Sequence, residues 1–291
     1  MKHRSFSFAR VAALTVNTFT GLVRLRVFYV LFLFALLLIG SSVFLAQLAF
    51  QEEFQILKDV SLGAMSLFSS LLAIVATAQL IPRDLEERTI HTILAKPVPR
   101  YEYLIGKLAG VLLLLALSMV AMSALFLGLL FVREQILLGE TLRSGAGLPP
   151  AQVEIAIRDL RASAFNANLF PGIALIYFKA AILASLTLFV STFATSNIFT
   201  VVVMAVVYFI GHLQATARAY WLQAHGGWLA HLFLGLVALV FPDLQLFNFV
   251  DDMVAGRAIP MTLFAQTAVL GCVYTSVYLF FAWIAFQGRE L

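Results

Sequence analysis

Charged positions are spread unevenly along the chain, and the gaps between them predict its architecture. No Asp, Glu, Lys or Arg falls in Val27–Phe50, Val60–Ile81 or Leu108–Val132. A bilayer core takes about 20 consecutive apolar residues per helix, so each run predicts one crossing. Ala180–Ala217 is also uncharged but too long for a single crossing, and its cluster Ser191, Thr192, Thr195, Ser196 and Asn197 predicts a break. Two spans follow, Pro171–Phe193 and Ile198 to about Ala217. A last span is expected from about Met261 to Phe286, opened by Pro260, where a proline costs a helix little. Trp228–Phe241 is apolar but short, and it lies between the breakers Gly226-Gly227 and Pro242-Asp243. That length predicts a re-entrant or interfacial segment rather than a seventh crossing.

Ahead of the first span, Phe8, Ala12, Val16, Phe19 and Val23 recur at helical spacing, while His3, Arg10, Asn17 and Arg24 share another face. The pattern predicts an amphipathic helix along the membrane surface, its arginines facing anionic lipid. The first span is too long for a signal core and is expected to remain in the protein. The whole reads as an all-α integral membrane protein. An interfacial helix occupies 1–26 and a six-span domain 27–291, with a polar loop at 82–107 and external segments at 133–170 and 218–260.

Composition agrees with this class. Apolar types make up 62% of the 291 residues and charged types 12%, against roughly 45–50% and about 25% in soluble domains. The net charge of +4 does not imply nucleic acid, because the basic residues sort by side of the membrane. With the amino terminus inside, Lys2, Arg4, Arg10, Arg24, Arg26, Arg83, Arg88, Lys96, Arg100, Lys107 and Arg289 are cytoplasmic, and ten of the 15 acidic residues are external. Both termini are therefore expected in the cytoplasm; the expected location is the plasma membrane (the bacterial inner membrane), with multiple passes. The single Cys272 permits no internal disulfide.

The densest polar stretch is the loop from Pro82 to Lys107. Asp84 with Glu87 three residues later has the form of a capping box and predicts a helix starting there. Leu85, Ile90, Ile93 and Leu94 supply its apolar side, Glu86, Glu87, Arg88 and His91 its charged side, and Lys96-Pro97-Val98-Pro99 its end. A charge-studded helix held between two spans suits force transfer from a soluble partner, and an ordinary solvated loop fits the composition as well.

The residues Glu86, Glu87, Thr89, Leu94, Pro97, Val98, Arg100, Gly106 and Lys107 resemble the signature of ATP-binding-cassette (ABC) permeases of the type-2 exporter class. They are most similar to the branch containing the permease of nitrous-oxide reductase maturation. The chain departs at Arg88, where Gly is commoner, and at Pro99, where Ser is commoner. A weaker likeness lies in Phe241-Pro-Asp-Leu-Gln-Leu-Phe-Asn248. The resemblance implies that 82–107 carries a coupling helix docking on a separate ABC ATPase. Asp84, Glu86, Glu87, Arg88, Thr89 and His91 would dock, while Arg100 and Lys107 would orient the loop. It further implies a complex of two ATPases with two permeases, the second permease being a copy or a paralogue. Lipid surrounds the spans, and the external segment 133–170 is read as a lid or a contact for an accessory subunit.

No Gly-x-x-x-x-Gly-Lys-Ser/Thr phosphate loop occurs, so no cofactor is expected in this chain; ATP and Mg²⁺ would sit on the partner. His212, His225 and His231 lie near the outer face without metal-ligand spacing, and beside Trp221, Trp228 and Tyr220 they read as part of an aromatic belt. No metal site and no catalytic residues are expected. Lys179 is the one charge inside a span. It either snorkels to the outer interface or lines a cavity. Ser66, Ser70, Ala73 and Thr77 form a stripe read as a close-packing face. A non-transporting membrane anchor or assembly factor for an ATPase is the alternative function.

Overall fold

A computed structural model describes residues 6–47, 53–86, 99–144, 149–166, 168–194, 196–224, 228 and 241–288. Among them the chain is helical and contains no strand. In order come α1 (Phe8–Val23), α2 (Arg26–Gln47), α3 (Glu53–Ala78), α4 (Leu80–Glu86), α5 (Arg100–Ser144), α6 (Pro150–Ala164), α7 (Leu169–Phe193) and α8 (Asn197–Ala224). A 3₁₀ turn (Leu244–Phe247), α9 (Val250–Val254) and α10 (Met261–Gln287) complete it. Among the described residues, six helical stretches are long and apolar enough to cross a membrane.

The expected breaks sit where the local chemistry puts them. Helix α7 ends at Phe193 and α8 starts at Asn197, inside the predicted polar cluster. Pro260 precedes α10 in an extended conformation, where its missing N–H costs no hydrogen bond. In the 133–170 segment, Pro149 precedes the amphipathic α6.

The helix of the third span starts at Arg100, as the loop residues predict, and departs from expectation at its far end. The uncharged run ends at Leu108 and Val132, yet α5 runs 45 residues straight through Glu102, Lys107, Arg133 and Glu134. Three of those charges have partners on other helices: Glu102 with Arg10, Lys107 with Asp84, and Arg133 with Glu53. A charge paired on a neighbouring helix need not end the helix that carries it, so the gap between charges understates α5. By contrast, Asp84 does not open a helix. It lies inside α4, in the last turn before Glu86. Its carboxylate finds a charge-assisted partner on α5 instead of a backbone cap.

Helices α3, α5 and α7 form the centre, with α2, α8 and α10 packed around them. Their faces bury Leu72, Ala73, Leu104, Val111, Ile182 and Leu186, whereas Val202, Val206, Phe209, Val269 and Phe280 point outward as apolar surface. Without a hydrophobic drive between helices in lipid, small residues and polar ties must hold the centre. Ser61 Oγ donates to Ser42 Oγ at 3.1 Å, joining α3 to α2. Away from α1, Lys58 Nζ donates to Ser163 O at 2.6 Å and Arg133 binds Glu53 at 2.6 Å. These bonds fix α6 and the far end of α5 against α3.

Helix α1 packs along the start of α5 rather than lying alone on a surface. Its buried face is Thr18 and Leu22 with Leu14; Phe8, Ala12 and Val16 remain exposed. Gly106 and Gly110, one helical turn apart, allow this approach. A methyl group added at Gly106 would lie 2.6 Å from Leu14 Cβ, and one at Gly110 would lie 2.7 Å from Thr18 Cβ.

Candidate functional site: the base of the polar loop

Both ends of the polar loop emerge at the α1 end of the bundle. Of its residues, 87–98 lie outside the described set, and so do Glu87, Arg88, Thr89 and His91. Glu86 closes α4, with its side chain undescribed. The flanks are defined closely. On the entering side, Asp84 Oδ2 accepts Lys107 Nζ at 2.6 Å and the Tyr103 hydroxyl at 2.6 Å. Asp84 and Lys107 are 9% and 5% exposed, so this pair is buried. Lys107 also lies 5.5 Å from the centre of the Tyr103 ring.

On the leaving side, Arg100 Nη1 donates to Phe286 O at 2.8 Å and to Gln287 O at 2.7 Å. These carbonyls belong to the last turn of α10, which has no helical partners for them, and a cation there also meets the negative end of the helix dipole. The guanidinium stands 5.8 Å over the Phe286 ring, which itself stacks on Tyr103 at 5.7 Å.

In the first turn of α5, Glu102 is wholly buried and accepts Arg10 Nε at 2.6 Å, Arg10 Nη2 at 2.8 Å and the Ser7 backbone N–H at 3.0 Å. Arg10, read from sequence as facing anionic lipid, is bound in a two-pronged pair with a carboxylate. That hydrogen bond pushes the guanidinium still higher above its ordinary value. Sequence reasoning missed Glu102 and Tyr103. Their available signal was position, in the first turn of a helix opposite a basic amphipathic segment. The seam glycines also had a signal, the Gly106-x-x-x-Gly110 spacing.

Lys179 sits elsewhere, midway along α7 and 2% exposed. It does not reach outward, and among the described residues it meets no carboxylate. Its Nζ donates to Ser66 Oγ at 3.0 Å and lies 3.0 Å from His212 Nε2. His212 Nδ1 is 3.0 Å from Tyr208 O, an acceptor, which assigns the proton to Nδ1 and leaves Nε2 to accept from Lys179. Ser66, from the packing stripe, thus also binds a charge. The group joins α3, α7 and α8, and Gln245 Nε2 extends it to the 3₁₀ turn by donating to His212 O at 3.0 Å. Among the described residues, no three His, Cys, Asp or Glu gather as a metal site; His225 and His231 lie outside them.

Residues 19–146 match the family described as ABC-2 family transporter protein. The match runs from the last third of α1 through α5 and contains every flanking bond of the loop except those of Ser7, Arg10 and α10. No curated protein matches the chain. The match covers under half of the chain, and with six membrane-length helices among the described residues the chain is a multi-pass membrane protein by length and composition, similar over that stretch to ABC-2 family transporter proteins.

Proposed function

We propose that the chain is the permease of an ATP-driven exporter and that its 82–107 loop is the grip of a separate ATPase, which binds the ATP and Mg²⁺. The observation that supports this is the bonding of both loop flanks to the helix bundle. A push delivered to 87–98 passes through Asp84–Lys107 to α5 and through Arg100 to α10. Glu102 then passes it to α1. An ordinary solvated loop needs no such anchorage.

In this reading Glu86, Glu87, Arg88, Thr89 and His91 dock, while Asp84, Arg100 and Lys107 position. Asp84 moves from the first group to the second because its carboxylate is buried on Lys107 and Tyr103. The excess of basic residues at the α1 end supports a cytoplasmic position for that end and for both termini in this reading. Two permeases, identical or paralogous, would carry two ATPases, and the loop motif favours the nitrous-oxide-maturation branch.

The test is charge reversal, Glu86→Lys with Glu87→Lys, in the complete complex. The variant should lose ATPase co-purification and transport together. Normal transport would sink the reading. A transport-dead complex whose ATPase no substrate stimulates, even in the unmodified chain, would favour a membrane anchor.

A further inference from the structure

Lys179 on α7 and His212 on α8 meet through nitrogen alone, Nζ lying 3.0 Å from Nε2. A hydrogen bond between two nitrogens needs a donor on one and a lone pair on the other, so the pair holds one positive charge and not two. Two contacts put that charge on the lysine. His212 Nδ1 faces Tyr208 O and donates to it, which leaves Nε2 as the acceptor. Lys179 Nζ also stands 5.8 Å from the centre of the Tyr208 ring, whose face attracts a cation. A second proton, taken up at Nε2, would set two cations 3.0 Å apart with no acceptor between them.

The groups around His212 allow that uptake. Against α8 pack α3, α7 and the 3₁₀ turn. Near the pair, α3 brings the uncharged Ser66 and Ser70, α7 brings Lys179, and α8 itself brings Tyr208. From just ahead of the turn comes Asp243, a buried carboxylate that acts on His212 from the side opposite in sign to Lys179. His212 is only half-buried and its neighbour Gln245 is exposed, so a proton reaches the ring without unfolding of the bundle. The same residue also holds the turn in place. His212 O accepts Gln245 Nε2 at 3.0 Å, and Gly211 beside it seats Leu244, whose Cγ would lie 2.8 Å from an added Cβ.

We propose that Lys179 and His212 form a one-proton lock between α7 and α8, opened when His212 takes up a second proton, and that opening loosens the 3₁₀ turn. The lock requires nothing of the export reading. Full-length protein in neutral detergent is melted between about pH 7.5 and about pH 5.5 beside His212→Gln. Glutamine keeps both bonds, accepting from Lys179 through Oε1 and donating to Tyr208 O through Nε2, but it takes no proton.

In the unfolded chain an imidazole charges below about pH 6.5, whereas the locked one is neutral, so the unfolded state binds more protons there. Stability is therefore complete above about pH 6.5 and is lost as the pH falls. At the acid end the unfolding constant of the unmodified chain, relative to the glutamine variant, should rise about tenfold over its neutral value. Deuterium uptake in the Leu244–Phe247 turn, corrected for the intrinsic effect of pH, should rise over the same interval in the unmodified chain and not in the variant. Lys179→Gln is a second arm. Its amide donates to a neutral His212 or accepts from a charged one, so acid sensitivity should be lost there too. A pH profile of either folded variant that runs parallel to that of the unmodified chain overturns the proposal. Unchanged uptake in the turn of the unmodified chain overturns it as well.

Discussion

Two of the buried lysines, Lys107 and Lys179, show how the same residue type serves different ends. Lys107 faces a carboxylate 2.6 Å away, whereas Lys179 has a hydroxyl and an imidazole. Removing one member of a buried ion pair strands the other, which costs about 3–5 kcal/mol, while replacing both by apolar groups is close to neutral. Lys107→Met should therefore destabilise the protein by roughly 3 kcal/mol in detergent unfolding, an effect partly offset at Asp84 by the Tyr103 hydroxyl. Adding Asp84→Leu should recover most of the stability but not the coupling to an ATPase. If transport returned along with stability, the pair would serve folding alone. Little of this was legible in the sequence. Asp84 and Lys107 stand out as charges beside apolar runs, but nothing in one dimension pairs them across 23 positions.

At the scale of helices, the seam between α1 and α5 depends on two missing side chains. Gly106 and Gly110 have Leu14 and Thr18 within the space a Cβ would take, and the Val11 and Thr15 carbonyls close behind. Backbone cannot move aside as a flexible side-chain tip can. Gly110→Val should thus displace α1 and cost about 1–3 kcal/mol, as overpacking does. Gly128→Ala on the same helix meets nothing within 4 Å and should be neutral or slightly stabilising. Thermal melting of the two variants makes the comparison, and equal melting points would show that α1 has another seat. Existence of the helices was legible because apolar runs and their breakers are local. Seams were less so, because the residue that permits an approach is named by what lies opposite it. The charged far end of α5 escaped for the same reason: Arg133 looks like a terminator until Glu53 is placed beside it.

Over the whole molecule, the alternation of six spans puts the start of α5 and the loop before α10 on opposite sides. Asn168 Nδ2 donates to Arg257 O at 2.9 Å, which joins the entries of α7 and α10 at the end remote from Arg100. With Cys272, an exposed free thiol, replaced by Ser, a cysteine introduced at Arg257 should react with an impermeant maleimide from outside intact cells. One introduced at Arg24 should react only after permeabilisation. Labelling of both positions from the same side would break the six-span count.

Helix α5 has one more mechanical consequence. Its 45 residues make a rod of about 67 Å, more than twice a bilayer's hydrocarbon thickness. The rod is bolted near its foot by Lys107 and near its upper third by Arg133, with α6 hanging from the tip. A tilt of only ~5° about the foot swings that tip by roughly 6 Å. A nudge at one face of the membrane would therefore emerge, magnified, as a sweep across the other.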